Sequence, residues 1–215
     1  MLAAMADRRL SGRRGEALRN DAAILAAARA VFVADPDAPV SAVAERARVG
    51  ISSLYRRYAS KEELLRKICS DGLQQYVDIV REAVEDETSD PWDAFARFMR
   101  RIVEADTHTL TINLAGRFRP TEREVRNALL ANELDTRLVA RAQAAGVLRD
   151  DLTADDLTFV FEQLAGVHGP SPQRTVELRA RYLALHLDAL RAPGGSRLPG
   201  PPPTSQEQQA RWTPS

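Results

Sequence analysis

The stretch 39–63, with the sequence PVSAVAERARVGISSLYRRYASKEE, most strongly limits what this chain can fold into. Small apolar residues recur at helical spacing in its first part, and Ser41 is placed to be the N-cap of that helix. The segment Arg48–Gly50 interrupts the pattern, and a second short helix is predicted from Ile51 to Tyr58. Two short helices joined by a tight turn predict a helix-turn-helix motif at about residues 39–58.

The end of this stretch predicts the start of a much longer helix. Ser60 and Glu63 have the three-residue spacing of a capping box, in which a hydroxyl and a carboxylate each accept a free backbone N–H. Apolar residues then recur at helical spacing for about six turns. We therefore expect one long amphipathic helix to follow the helix-turn-helix.

The run Val43–Leu64 resembles the DNA-binding domain of the TetR family of transcriptional regulators. Arg48 departs from the family pattern, which usually has glycine at this turn. A residue with a Cβ atom in left-handed backbone costs about 1 kcal/mol there. The positions that carry the resemblance are Ala44, Glu45, Ala47, Val49, Leu54, Tyr55, Tyr58, Ser60, Lys61 and Glu62.

The resemblance implies how such a chain works. In the family, the last two long helices pair with their copies in a second subunit, which implies that role for Leu157–Val167 and Gln173–Leu190. A homodimer then binds a palindromic operator on double-stranded DNA, and a small-molecule effector releases it. We expect a ligand-responsive transcriptional regulator of this type, a repressor rather than an activator. Residue spacing alone shows only amphipathic helices, which can also pack within one chain.

The whole pattern predicts an all-α fold, since no segment has the alternation of a strand. We expect a three-helix DNA-binding domain at residues 16–62 and a regulatory and dimerisation domain of about six helices at 63–191. Residues 1–15 are rich in arginine and are expected to form a disordered basic arm, which either lies along DNA or is an idle tail. Residues 192–215, rich in Pro, Gly, Ser and Gln, are expected to form a disordered tail.

The zero net charge of the 215-residue chain hides an uneven distribution. Residues 1–67 contain 13 Lys or Arg against 8 Asp or Glu, which gives +5, whereas residues 68–215 contain 17 against 22, which gives −5. A basic segment that coincides with a helix-turn-helix is typical of a domain that neutralises DNA phosphates. The alternative is a helix-turn-helix scaffold used as a protein-interaction module without specific DNA binding.

Two kinds of DNA contact are expected on this domain. By resemblance to the family, Tyr55 and Lys61 contact phosphates, and Ser41 is a further candidate. Candidates for contacts with base edges are Ser52, Ser53 and either Arg56 or Arg57, because arginine pairs with guanine through two hydrogen bonds. Non-specific phosphate contact remains the alternative for both arginines. The expected DNA-binding set is Ser41, Gly50, Ser52, Ser53, Tyr55, Arg56, Arg57, Tyr58 and Lys61.

The effector is expected to bind in the second domain, where aromatic residues concentrate on a helix from Pro91 to about Glu104. Ordinary core packing is the alternative for each aromatic residue. Asn113 and Glu162 are more informative if they are buried, because a buried polar group needs a partner. The candidate lining residues are Trp92, Phe95, Phe98, Met99, His108, Asn113, Phe118, Phe161 and Glu162.

Neither an enzyme nor a membrane protein is indicated. His108, His168 and His186 lack the spacing of a helical zinc site, and no glycine-rich phosphate loop follows a strand. No catalytic residue, metal site or cofactor is therefore expected. The lone Cys69 and the lack of an apolar run of about 20 residues predict a cytoplasmic protein. The resemblance to the TetR family implies a bacterial one, located at the nucleoid when it is bound to its operator.

Overall fold

The computed structural model describes residues 19–114, 116–193 and 195–210, so the predicted basic arm at residues 1–15 lies outside them. Across these ranges the chain forms helices and no strand, apart from an isolated antiparallel bridge between Leu148 and Arg191. The prediction of an all-α fold is confirmed. The chain divides into two compact units, Met1–Ile68 and Cys69–Ser215, which we call the head and the body.

Three helices and the start of a fourth build the head. The apolar sides of these helices face one another and bury a small core that includes Ile24, Phe32, Val43, Leu54 and Leu64. The core holds the two short helices of the predicted motif in place. The helices are α1 (19–34), α2 (Val40–Ala47), α3 (Ile51–Tyr55) and α4 (Lys61–Glu85).

The limits of the two short helices differ from the prediction. Helix α2 begins at Val40 after Pro39, whose backbone is extended at φ −71° and ψ 152°, so the prediction that Ser41 is the N-cap is wrong. Proline has a fixed φ and no N–H, which suits it to this position. Helix α3 ends at Tyr55 rather than Tyr58, and the chain continues in a turn in which the N–H of Arg57 donates to the Leu54 carbonyl at 2.9 Å.

The turn between α2 and α3 has the left-handed backbone that the family pattern predicts. Arg48 has φ 56° and ψ 40°, and the N–H of Val49 donates to the Ala44 carbonyl at 3.0 Å. A left-handed residue after the last helical turn is a common way to end a helix, and glycine occupies it without strain. Arg48 therefore accepts a strained backbone in order to make the sharp turn.

The capping box at the start of α4 forms with a small change from the predicted partners. The N–H of Glu63 donates to the Ser60 hydroxyl at 3.1 Å, and the Glu63 carboxylate accepts the N–H of Ala59 at 2.7 Å. Two backbone donors at the helix start are thus satisfied by side chains. From this cap, α4 continues for 25 residues.

The described residues of the body contain six further helices. Neighbouring side chains cap the start of two of them: Asp90 accepts N–H bonds from Trp92 and Asp93, and Thr121 forms a capping box with Glu124. Helix α5 packs against α7, α8 and α9 and therefore lies at the centre of the body. The helices are α5 (Pro91–Ala105), α6 (Thr107–Leu114), α7 (Glu122–Ala144), α8 (Ala154–Ala165), α9 (Pro172–Leu190) and α10 (Ser205–Ala210).

From the sequence, the apolar positions after Thr121 can form either one helix or two helices that meet near Asn132, and α7 is one continuous helix. The low helix propensity of asparagine is outweighed by the burial of Leu134 and Leu138 on the next turn. Instead of breaking the helix, the Asn132 amide donates to Asp155 at the start of α8, at 3.1 Å.

The C-terminal segment 195–210 differs from the expected disordered tail, because it has polar contacts with the body. The N–H of Leu198 donates to Asp151 at 2.8 Å, and the Ser205 hydroxyl lies 3.2 Å from both carboxylate oxygens of Asp155. Its composition cannot form a core of its own, but hydrogen bonds to a folded neighbour give it a defined position.

Candidate nucleic-acid interface and effector site

Helix α3 presents a polar face to solvent. Ser52, Tyr55 and Arg56 are exposed, with 48% of the Tyr55 surface accessible, whereas Leu54 is fully buried beneath them. Gly50, directly before the helix, is exposed, and a Cβ atom at this position would contact nothing within 4 Å. Ser53 is half-buried. Hydroxyls, a phenol and a guanidinium therefore occupy one short surface whose orientation the core residue Leu54 fixes.

Two of the predicted DNA-binding residues contact the head itself. The Tyr58 hydroxyl donates to Asp21 at 3.0 Å, and the Arg57 guanidinium binds the same carboxylate oxygen at 3.0 Å. Tyr58 is only 6% exposed and packs in the core. Together these residues tie the segment after α3 to α1. Asp21 was not singled out in the sequence, because no local pattern links it to residues 36 positions away.

Lys61 and Ser41, predicted to contact phosphates, occupy different surroundings. The Lys61 ammonium donates to the Ala38 carbonyl at 2.8 Å and lies 5.2 Å from the centre of the Phe32 ring. Lys61 is half-buried and supports the turn before α2, whereas Ser41 is exposed at the second position of α2. Phosphate contact remains a prediction for both residues.

The aromatic candidates for an effector site form the core of the body. Phe95, Phe98 and Met99 are fully buried on α5, and Phe161 on α8 is nearly so. Trp92, on the first turn of α5, lies 6.0 Å from Phe95 between ring centres, and the Arg191 guanidinium is 5.0 Å from its ring. Phe118 is also buried. His108, Asn113 and Glu162 are half-buried.

A buried pair of ionisable groups lies next to these aromatic residues. The Tyr76 hydroxyl of α4 donates to one carboxylate oxygen of Asp135 of α7, at 2.8 Å, and both residues are about 7% exposed. Burial raises the pKa of Asp135 to about 8, the hydrogen bond from Tyr76 acts in the opposite direction, and the negative charge of Asp155 adds to the increase. Burial and the negative charge of Asp135 also raise the pKa of Tyr76. Asp135 is therefore mostly protonated at neutral pH.

Three aromatic rings surround Tyr76. Its ring lies 5.9 Å from Phe98, 5.5 Å from His108 and 6.3 Å from Phe161, in edge-to-face arrangements. The His108 ring lies 4.8 Å from Phe161. Burial lowers the pKa of His108 to about 4, so its imidazole is neutral at pH 7. The sequence suggested Phe98, His108 and Phe161 as candidates to line the effector site. It did not suggest Tyr76, which occupies an ordinary apolar position of α4.

His108 and Phe161 also border a small cavity between α5, α6, α8 and α9. Its volume is about 10 Å³, which is room for one water molecule at most. On its far side the buried Arg179 guanidinium binds Asp106 at 2.7 Å and the Ala165 carbonyl at 2.7 Å. The body is therefore closed around these residues, and a larger molecule requires a side chain to move.

The described residues contain neither a candidate metal site nor a candidate membrane span. They contain no group of three or more His, Cys, Asp and Glu side chains arranged to hold a metal ion. None of their helices combines the length and the apolar character required to cross a membrane.

Two models of protein families match the chain. The first, for bacterial regulatory proteins of the tetR family, matches residues 24–68, and the second, for the C-terminal domain of SbtR-like transcriptional regulators, matches residues 90–192. Together the matches span more than half of the chain. The first contains the helix-turn-helix, and the second contains α5–α9. No curated protein matches this sequence.

Solved structures of transcriptional regulators resemble the whole fold. A TetR transcriptional regulator from Streptomyces coelicolor is 25% identical, with a TM-score of 0.54 over 80% of this chain and 98% of the other. The TetR transcription regulatory protein from Mycobacterium vanbaalenii is also 25% identical, with a TM-score of 0.55 over 83% and 99%. A ketosteroid transcriptional regulator from Mycobacterium tuberculosis is 21% identical, with a TM-score of 0.58 over 83% and 95%.

Proposed function

The chain belongs to the TetR family of bacterial regulatory proteins, and we propose that this DNA-binding regulator is a repressor whose homodimer binds a palindromic operator. A small molecule that enters the body releases it from DNA. The observation that carries the proposal is the exposed polar face of α3, within the residues that match the family's DNA-binding domain.

Arg56 is the arginine best placed to read DNA. Its side chain is exposed, whereas the Arg57 guanidinium is held by Asp21. An arginine that pairs with guanine through two hydrogen bonds contributes about 1–3 kcal/mol of discrimination between bases. Ser52 and Tyr55 share the exposed face with Arg56, and their hydroxyls are suited to phosphate or base contacts.

The outer face of α9 supports dimerisation. Tyr182 and Leu185 are 43% and 57% exposed, and they lie opposite the buried stripe of Leu183 and Leu187. Exposed apolar side chains that line up along one helix favour contact with another protein surface. In a homodimer that binds a palindromic operator, the two copies of α3 read half-sites about 34–36 Å apart or a multiple of that distance.

Release by an effector requires a difference in affinity. The effector must bind the conformation that does not fit the operator more tightly than the one that does. Because the cavity beside His108 and Phe161 holds only about 10 Å³, a larger molecule that binds there has to move side chains, and its affinity then depends on the conformation of the body.

The proposal is tested by fluorescence anisotropy on DNA that flanks the protein's own coding region, beside a scrambled duplex, over a range of salt concentrations. We expect tight, salt-dependent and sequence-selective binding with two subunits per site. Arg56→Ala should weaken operator binding by about 5- to 150-fold, the equivalent of one lost base contact. It should leave the melting temperature unchanged, because the side chain is exposed.

The matched control is Arg100→Ala, which removes an exposed arginine from α5 in the body. This variant should bind the operator like the unchanged protein. Equal and weak binding to native and scrambled duplexes, unaffected by Arg56→Ala and by Tyr55→Phe, would contradict DNA recognition by α3 and favour a protein-interaction module.

A further inference from the structure

The buried carboxylate of Asp135 is only half satisfied. One of its oxygens accepts the Tyr76 hydroxyl at 2.8 Å, while the other, Oδ1, is buried and has no hydrogen-bond partner among the described residues. Buried polar atoms in proteins nearly always have a partner, so an exception needs an explanation. A stable fold gains nothing from this free oxygen, whereas a binding site needs an unused acceptor.

The surroundings of Asp135 restrict what the partner can be. Tyr76, which holds the carboxylate, is itself enclosed by the rings of Phe98, His108 and Phe161. Aromatic faces attract cations, and a carboxylate attracts them more strongly. An anion would be repelled by Asp155, whose negative charge acts on the same site. The residues thus combine the two features that favour an organic ammonium group.

We propose that Asp135, together with Tyr76 and the rings of Phe98, His108 and Phe161, forms the site of the effector, and that this effector is an amine with an aromatic body. The ammonium donates to Asp135, and the aromatic body replaces part of the edge-to-face ring packing. The role of this amine as an effector rests on the proposed function, whereas its binding at Asp135 does not depend on DNA binding.

Entry of such a molecule has a consequence for α6. His108 and Phe161 border the small cavity on one side and contact the Tyr76 ring on the other. An aromatic amine that enters through this cavity to reach Asp135 displaces one of these two rings. His108 lies on the first turn of α6, directly after Asp106, whose backbone is left-handed at φ 51°. Movement of His108 alters the corner between α5 and α6 and makes binding selective for one conformation.

Protonation of Asp135 gives the site a characteristic pH dependence. The free carboxyl has a pKa of about 8, so an ammonium ligand must displace its proton at neutral pH. The ionisable groups around it are Tyr76 from α4, Asp155 from α8 and, through the Tyr76 ring, His108 from α6. The pKa of Tyr76 is raised and that of His108 is lowered by burial, so neither group changes charge between pH 7 and 8. The affinity for a permanently charged ammonium should therefore rise by up to about tenfold per pH unit from pH 6 to pH 8 and then level off.

Isothermal titration calorimetry on the full chain without DNA tests the site. The probes are benzylamine and 2-naphthylmethylamine, their neutral partners benzyl alcohol and 2-naphthylmethanol, and the anion 2-naphthoate. We expect at least one amine to bind 10-fold or more tightly than its alcohol, and 2-naphthoate not to bind. The pH series uses 2-naphthylmethyltrimethylammonium, whose charge does not change with pH.

Asp135→Asn keeps the shape of the side chain and removes the charge that develops on binding. It should lower the affinity for the amine by 10-fold or more and change the affinity for the alcohol less than twofold. The matched control is Asp78→Asn, which changes an exposed carboxylate on α4 and should leave both affinities unchanged.

The proposal is overturned if no amine binds more tightly than its alcohol, if 2-naphthoate binds best, or if Asp135→Asn keeps the full affinity for the amine. The comparison of probes on the unchanged protein decides the matter even if the variant fails to fold. Because calorimetry is done without DNA, a failure here is distinct from a failure of operator binding in the anisotropy experiment.

Discussion

The head and the body use polar side chains in opposite ways. In the head, charged groups lie near the surface, and the pair of Arg57 and Asp21 braces the fold while Arg56 stays free for a partner. In the body, Asp135 and His108 lie within an aromatic core, where burial shifts both pKa values towards the neutral form. A surface charge costs little to maintain and attracts DNA from a distance, whereas a buried one costs stability and gains selectivity.

The largest expected effect is the loss of stability caused by a cavity in the core of the body. Phe161→Ala removes a buried ring that contacts Tyr76, Phe98 and His108, and should lower the free energy of unfolding of the body by about 3–5 kcal/mol. Urea denaturation followed by circular dichroism measures the loss. The control Leu129→Ala changes a side chain that is 57% exposed and should stay within about 0.5 kcal/mol. Equal effects of the two substitutions would contradict the position of Phe161 in the core.

Asp135 and His108 should affect the stability of the body over different pH ranges, because their pKa values are shifted in opposite directions. Asp135 has a raised pKa, so the folded state holds its proton up to about pH 8 and loses stability as pH rises from about 4 to 8. His108 has a lowered pKa, so its contribution rises from about pH 4 to 6.5 and offsets that of Asp135 there. Between pH 6.5 and 8 only Asp135 remains, and stability should fall by up to about 1.4 kcal/mol per pH unit.

Denaturation at a series of pH values measures this slope, and Asp135→Asn is the comparison. The variant should lack the decline between pH 6.5 and 8, because asparagine does not titrate. A decline of the same size in the variant would assign it to other groups and remove the argument that Asp135 is protonated at neutral pH.

The brace in the head should have a smaller effect. Tyr58→Phe keeps the buried ring and removes only the hydroxyl that donates to Asp21, while the Arg57 contact with the same oxygen remains. The expected cost is about 0.5–1.5 kcal/mol, the net contribution of one hydrogen bond. Thermal unfolding of the head, followed by circular dichroism, measures it. A loss above about 3 kcal/mol would contradict this expectation, because it would mean that Arg57 alone does not hold the Asp21 carboxylate in place.

The smallest expected change is a gain. Arg48→Gly removes the Cβ atom from a residue with left-handed backbone and should stabilise the head by up to about 1 kcal/mol, less the greater freedom of glycine in the unfolded chain. The comparison is Arg46→Gly within α2, where glycine should destabilise by about 1 kcal/mol. If both substitutions destabilise equally, the backbone at Arg48 is not strained.

Most of the helix boundaries were predictable because they depend on neighbouring residues. The cap at Asp90, the capping box at Thr121 and the left-handed turn at Arg48 each arise within four residues of sequence, and the structure contains all three. The spacing of the two helices in the helix-turn-helix also depends on residues that are near one another in the sequence. The sequence left one helix or two open at Asn132, where a local signal competes with burial, and it was wrong where proline set the helix start ahead of Ser41.

The candidate sites were predictable only in part, because their contacts join distant residues. Tyr76 and Asp135 are 59 positions apart, and each has an ordinary place on its own helix. The bond between Tyr58 and Asp21 spans 37 positions. Nothing in local spacing shows that such pairs meet, so the sequence suggested Tyr58 and Arg57 for DNA contact and left Asp21, Tyr76 and Asp135 unmentioned.

The C-terminal segment owes its position to its covalent link with the body. The N–H of Ala192 donates to the Val147 carbonyl at 2.9 Å, so the chain leaves α9 already fixed, and the Ser205 contact with Asp155 closes 13 residues later. Linkage of this kind gives a weak contact an effective concentration in the millimolar range. A separate peptide with the sequence of residues 195–210 would therefore need millimolar concentrations to replace the segment after its removal.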